Sequence, residues 1–137
     1  MARVTGIGGI FFKFKDVSSI KEWYQDILGM TVNNYGVLFE YNSGSSDKAY
    51  LQLGTFEEST DYFGDKNQQS MINFRVDDLD SLLTILKSKN VKIVDHIESY
   101  SYGKFLHIED PEGNRIELWE PIDSEFTASS DPKMSMK

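Results

Sequence analysis

The sequence predicts an α+β fold built from two similar halves, and three observations carry the prediction. "GGIFFKFKDVSSIKEWYQDILGM" passes from two-residue alternation into a helical stripe, and "MINFRVDDLDSLLTILKSKNVKI" repeats that passage, with Asp16 and Asp78 lying 62 residues apart. The closing "FLHIEDPEGNRIELWEP" reads as two apolar strands around a turn. Each half therefore runs strand, helix, strand, strand, strand.

In the first half, Ile10, Phe12 and Phe14 alternate with Gly9, Phe11 and Lys13, which is strand periodicity. Asp16 is a helix N-cap, and Ile20, Trp23, Tyr24, Ile27 and Leu28 form a stripe at helical spacing that Gly29 stops, so Trp23 and Tyr24 are expected in the core. Strands are predicted over 30–35, 36–42 and 48–54, with "SGSSDK" as a turn. In the second half, Ile72, Phe74 and Val76 alternate with Met71, Asn73 and Arg75; Asp78 then caps a helix with the stripe Leu79, Leu82, Leu83 and Leu86. Strands follow over 91–98, 102–109 and 114–119. Residues 1–121 are expected to form one domain, with modules at about 5–55 and 70–121 joined by a polar linker over about 56–69. Residues 122–137 read as a polar tail.

Composition limits the functional classes. Hydrophobic residues make up 39% and charged residues 26%, which is the balance of a packed domain. A net charge of -8 repels phosphate backbones, so no nucleic-acid partner is expected. The absence of cysteine removes disulfides, thiol nucleophiles and thiolate metal sites. No stretch reaches the roughly 20 apolar residues of a membrane span, and the first residues lack a signal-peptide core, so a cytoplasmic protein without a membrane partner is expected. The glycines of "GIGG" lead into a strand without GxGxxG spacing, so they do not read as a phosphate loop.

The closing hairpin raises the functional question, because Glu117 stands between Ile116 and Leu118. Strand side chains alternate, so if Ile10, Phe12, Phe14, Leu51, Leu53, Ile72, Phe74, Ile116 and Leu118 pack beneath the helices, the opposite parity lines a hollow. Phe11, Lys13, Tyr50, Gln52, Asn73, Arg75, Phe105, His107, Arg115, Glu117 and Trp119 are the candidate ligand-binding residues. They mix aromatic planes with a few polar groups, as small-molecule sites do. Lys13 and Arg75 occupy matched positions and read equally as anion anchors or as rim residues reaching for water. With Pro111-Glu112-Gly113 as a three-residue loop, His107 pairs across the hairpin with Glu117. That reads first as mutual satisfaction of two polar side chains rather than a catalytic dyad. His96 reads as a surface or strand-edge residue.

The paired βαβββ modules, the opening "GIGGIFFKFKD…WYQDILGM" and the closing "HIEDPEGNRIELWEP" resemble the vicinal-oxygen-chelate superfamily of glyoxalases, bleomycin-resistance proteins and extradiol dioxygenases, over about residues 5–121. The resemblance implies curved mixed sheets, helices outside, a concave cavity and a homodimer. It also implies a divalent metal whose ligand positions fall on Gly9, Gln52, Met71 and Glu117. Only Glu117 is an intact ligand: Gly9 has no side chain, Met71 offers a soft thioether and Gln52 a neutral carbonyl. No metal and no cofactor are therefore expected. Two functions follow from the resemblance: a metal-free module that binds a small molecule, as bleomycin-resistance proteins bind a cationic drug, or a glyoxalase-type lyase or isomerase with Glu117 as catalytic base. Whether the protein is an enzyme stays open at this stage, with binding the favoured reading.

Overall fold

The computed structural model describes residues 2–42 and 48–125. In chain order the elements are β1 (Val4–Phe14), α1 (Val17–Leu28), β2 (Val32–Asn33), β3 (Gly36–Asn42), β4 (Lys48–Glu57), β5 (Ser70–Val76), α2 (Leu79–Ser88), β6 (Lys92–Ile93), β7 (Glu98–Tyr100), β8 (Gly103–Glu109) and β9 (Arg115–Pro121). They form an α+β fold on one mixed sheet in the order β2-β3-β4-β1-β5-β9-β8-β6, with β7 pairing β8. The first strands of the two halves lie side by side and antiparallel, and each is parallel to the last strand of its own half. The halves are thus related by a pseudo-twofold rotation about the β1–β5 seam.

Local chemistry explains the elements. Asp16 accepts from the Ser19 backbone N–H at 3.0 Å and its hydroxyl at 2.9 Å, and Asp78 does the same for Ser81 at 3.1 and 2.7 Å. The repeated Asp-x-x-Ser starts both helices. In the β8–β9 turn, Asp110 accepts from the backbone of Glu112 and Asn114, while Gly113 takes a left-handed φ of 84° that a side chain would strain. This turn sets the register that places His107 opposite Glu117, as the loop length predicts.

Several expectations are corrected. The strand predicted over 30–35 shrinks to Val32–Asn33. That predicted over 91–98 breaks into β6 and β7, because the Asp95 side chain turns inward to bond the His107 backbone N–H at 2.8 Å. The turn expected over 43–48 falls outside the described residues except for Lys48, and the tail does so beyond residue 125. Within the expected polar tail, residues 122–125 are tied to the sheet: Ile122 N–H bonds Tyr102 O at 3.1 Å, and Asp123 pairs with Arg75.

The two helices also differ. Leu79 and Leu82 of α2 are buried in a cluster with Val76, Leu106, Ile108 and Leu118. By contrast α1 buries no residue, and Trp23, expected in the core, is 48% exposed with Ile27 at 63% and Leu28 at 53%. It lies over β4 and the two-residue β2, an edge too short to cover its stripe. The helix-side Phe12 is 39% exposed, whereas the hollow-side Phe11, Tyr50, Phe105 and Trp119 are all buried. Leu79→Ala should therefore cost about 2–5 kcal/mol and Ile27→Ala within about 0.5 kcal/mol. Urea denaturation checks both; equal losses would mean that α1 is as firmly docked as α2.

Candidate functional site

One row of residues crosses five strands. Gln52 of β4 stands beside Gly9 of β1, Gly9 beside Asn73 of β5, Asn73 beside Glu117 of β9, and Glu117 beside His107 of β8. Their parity points into the concave side. Gln52, Asn73, His107 and Glu117 are each no more than 6% exposed, so the row is a strip of buried polar groups that must find partners among themselves.

Glu117 is the hub of that strip. Its Oε1 accepts from Asn73 Nδ2 at 2.7 Å; its Oε2 meets His107 Nε2 at 2.8 Å and accepts from the Tyr62 hydroxyl. His107 Nδ1 in turn meets Asp95 Oδ2 at 2.7 Å. The imidazole is therefore held between two carboxylates. Burial works against its charged form, but the hydrogen bonds and charges of Glu117 and Asp95 outweigh that and raise its pKa above the ordinary 6.5. Burial and then the Glu117 charge push the Tyr62 phenol far up, so Tyr62 stays neutral and donates.

Beside the hub lies a cavity of about 290 Å³. Phe11, Tyr35, Phe56 and Phe105 supply aromatic lining, and Gln52, Thr60, Asp61, Tyr62 and Glu117 bring polar groups to it. The segment between β4 and β5, read as a polar linker, is the lid of this hollow. Phe63 is fully buried against Phe11 and Met71, and Tyr62 stacks on Phe56 with centroids 5.6 Å apart and planes 7° off parallel. Gln68 fastens the segment to β9 by accepting from Arg115 N–H at 2.8 Å and donating to Arg115 O at 2.9 Å.

Of the residues proposed from sequence, the cavity wall brings together Phe11, Gln52, Phe105 and Glu117, with Asn73 and His107 directly behind the carboxylate. Tyr50 and Trp119 belong to the neighbouring aromatic cluster, where Trp119 stacks on Phe105 at 5.9 Å. The three basic residues bond elsewhere. Arg75 pairs with Asp123 and lies 5.4 Å from the centre of the Trp119 ring; Arg115 donates to Tyr62 O at 3.3 Å; Lys13 donates to Lys66 O at 3.3 Å. Lys13 and Arg115 thus hold the lid segment. Sequence reasoning missed Tyr62, Phe63 and Asp95; the signal for the first two was the aromatic pair within "STDYFGDK".

A divalent ion fits this donor set poorly. A Cβ on Gly9 would lie 2.6 Å from the Phe11 ring, so that ring already fills the space of a ligand side chain. Gly8, beside a shift in the β1–β5 register, is crowded too: a Cβ there would lie 2.3 Å from Asn73 Oδ1. Met71 is buried in an apolar cluster, and Glu117 already serves three donors. Among the described residues no three His, Cys, Asp or Glu side chains converge to hold an ion.

Comparison with known proteins places this geometry. A family model described as the Glyoxalase/Bleomycin resistance protein/Dioxygenase superfamily matches residues 7–118. Methylmalonyl-CoA epimerase of Streptomyces coelicolor, in complex with 2-nitronate-propionyl-CoA, is similar in structure with a TM-score of 0.67 at 18% identity, covering 88% of this chain and 99% of that one. The Mycobacterium tuberculosis methylmalonyl-CoA epimerase gives 0.58 at 24% identity over 92% and 93%. A glyoxalase/bleomycin resistance protein/dioxygenase superfamily member from Vibrio splendidus 12B01 gives 0.51 at 15% over 88% and 99%. At these identities the structures share a fold. No curated protein matches.

The imidazole makes stability depend on pH with a definite sign. Because the folded-state pKa of His107 is raised above 6.5, its contribution is fully present below that value and is lost as pH rises through the folded one. The melting-temperature gap between wild type and His107→Gln should be widest in mild acid and narrow toward alkaline pH. A gap that widens with pH would contradict the paired imidazolium.

Proposed function

Because the chain belongs to the glyoxalase/bleomycin resistance protein/dioxygenase superfamily, we propose that it binds a small molecule in the concave cavity without a resident divalent metal. The observation that carries this reading is the state of Glu117: the chain's own Asn73, His107 and Tyr62 occupy the carboxylate at a superfamily ligand position, beside an aromatic-walled hollow. Polar groups among aromatic lining residues orient a ligand, and the rings supply burial. Homodimerisation and a cytoplasmic setting belong to the same proposal; among the described residues, no helix is long and apolar enough to cross a membrane.

A second reading is favoured by the chain of 2.7 and 2.8 Å contacts from Asp95 through His107 to Glu117. That is the arrangement of a base held in place by an orienting group, and it would suit a lyase or isomerase in which Glu117 takes a proton from substrate once Tyr62 has moved off it. The fold likeness to methylmalonyl-CoA epimerases is compatible with such chemistry.

Glu117→Gln separates the two. For a ligand found by screening, the binding reading expects affinity to fall by roughly 1.5–3 kcal/mol, the scale of a hydrogen bond to a charged group. The enzymatic reading expects affinity to persist while a proton-transfer activity disappears. Elemental analysis of the purified protein should find no stoichiometric metal, and near-equimolar zinc, nickel, iron or manganese would overturn the metal-free proposal. Light scattering should give the mass of two chains; that of one would overturn the dimer.

A further inference from the structure

Resting on the reading of the cavity as a small-molecule site, we propose that the cavity is self-occupied and that the Tyr62 side chain is its gate: a ligand reaches Glu117 only by taking the place of the Tyr62 phenol.

The donors on Glu117 lead to this. Both readings above bring a ligand or substrate to a carboxylate that already serves three donors, so one of the three must give way. Asn73 and His107 are 0% and 3% exposed and sit behind the carboxylate on β5 and β8, and His107 is held from its far side by Asp95 at 2.7 Å. Neither has room to leave. Tyr62 alone of the three lines the cavity, and its ring is half-buried, with part of its surface already open to water. Burial keeps the phenol neutral, so no charge travels with it when it moves.

The ring also sits where a guest would. Its face stacks on Phe56 at 5.6 Å, it meets the His107 ring at 5.0 Å with planes 87° apart, and its hydroxyl donates to Glu117. Phe56 and Glu117 are themselves cavity residues, so a flat molecule with a donor at its edge would find the same stacking partner and the same acceptor.

The chain on either side of the ring stays in place. Phe63 is fully buried, Arg115 donates to Tyr62 O at 3.3 Å, and Tyr62 N–H donates to Thr60 Oγ1 at 3.2 Å. The moving part is therefore the side chain, which turns about its Cα–Cβ bond into another staggered rotamer. Turning breaks the hydrogen bond to Glu117 and the stack on Phe56, and a ligand restores both only if it carries a donor on a flat body. Its apparent affinity is lowered by the small fraction of molecules in which Tyr62 stands open.

Phenol and toluene, alike in size and differing in the hydroxyl, test the gate. They are titrated by NMR into the full-length wild type, Tyr62→Phe and Tyr62→Ala. Phenol should bind Tyr62→Ala at least about tenfold more tightly than wild type, with Tyr62→Phe in between because its ring opens without breaking a bond to Glu117. Toluene should bind Tyr62→Ala at least about fivefold more weakly than phenol, since it brings no donor. In wild type saturated with phenol, the nuclear Overhauser contact between Tyr62 and Phe56 should vanish. Should Tyr62→Ala fail to fold, as judged by circular dichroism, Tyr62→Phe and the wild-type contact decide. Phenol bound with the Tyr62–Phe56 contact intact, or with equal affinity to every form, would overturn the gate and leave the cavity reading standing; phenol binding to none of them would overturn both.

Discussion

A carboxylate that is 2% exposed in the middle of a sheet is the constraint on which the rest of this structure turns. An ionised group taken out of water is tolerated only when donors replace its hydration. Glu117 draws its donors from Asn73 on β5, His107 on β8 and Tyr62 on the connecting segment, so three separate stretches of chain are tied to one side chain. A one-residue slip of either neighbouring strand would turn its donor to the other face. The Asp110–Asn114 turn and the β5–β9 register therefore matter to the site as much as to the fold.

Satisfying Glu117 from within shapes everything around it. The lid must come close, so Phe63 and Tyr62 are drawn down and the backbone near them is fastened by Gln68, Arg115 and Lys13. Space on the opposite wall is obtained by omitting side chains at Gly8 and Gly9, where Asn73, Trp119 and Phe11 press against the backbone. Gly9, one of the positions where the sequence resemblance implies a metal ligand, is the glycine that makes room for the Phe11 ring. The missing side chain at Gly9 and the aromatic wall supplied by Phe11 are thus one packing arrangement seen from two sides.

Much of this was legible in the sequence. The doubled strand-helix passage gave the two halves, the Asp-x-x-Ser starts located both helices, and a three-residue loop with Gly113 was enough to set His107 against Glu117. Other features depend on contacts distant in sequence. Tyr62 and Phe63 sit among polar residues without periodicity, and only the closing of the sheet brings Tyr62 to a partner 55 positions away. Asp95 interrupts an expected strand because its partner lies on β8. The stripe of α1 has the spacing of a buried face, but spacing reports which residues share a face and not whether a neighbour exists to cover it. Lys13, Arg75 and Arg115 had the right parity for the hollow, and their long side chains reach past it to carbonyls and Asp123.

The segment between the halves is fastened to the buried carboxylate through the Tyr62 hydroxyl. A double-mutant cycle with Tyr62→Phe and Glu117→Gln, read by chemical denaturation, measures that contact most directly. The expected coupling is roughly 1.5–3 kcal/mol, the range for a hydrogen bond to a charged group. Losses that add to within about 0.3–0.5 kcal/mol, as independent sites do, would show that Tyr62 and Glu117 do not act together.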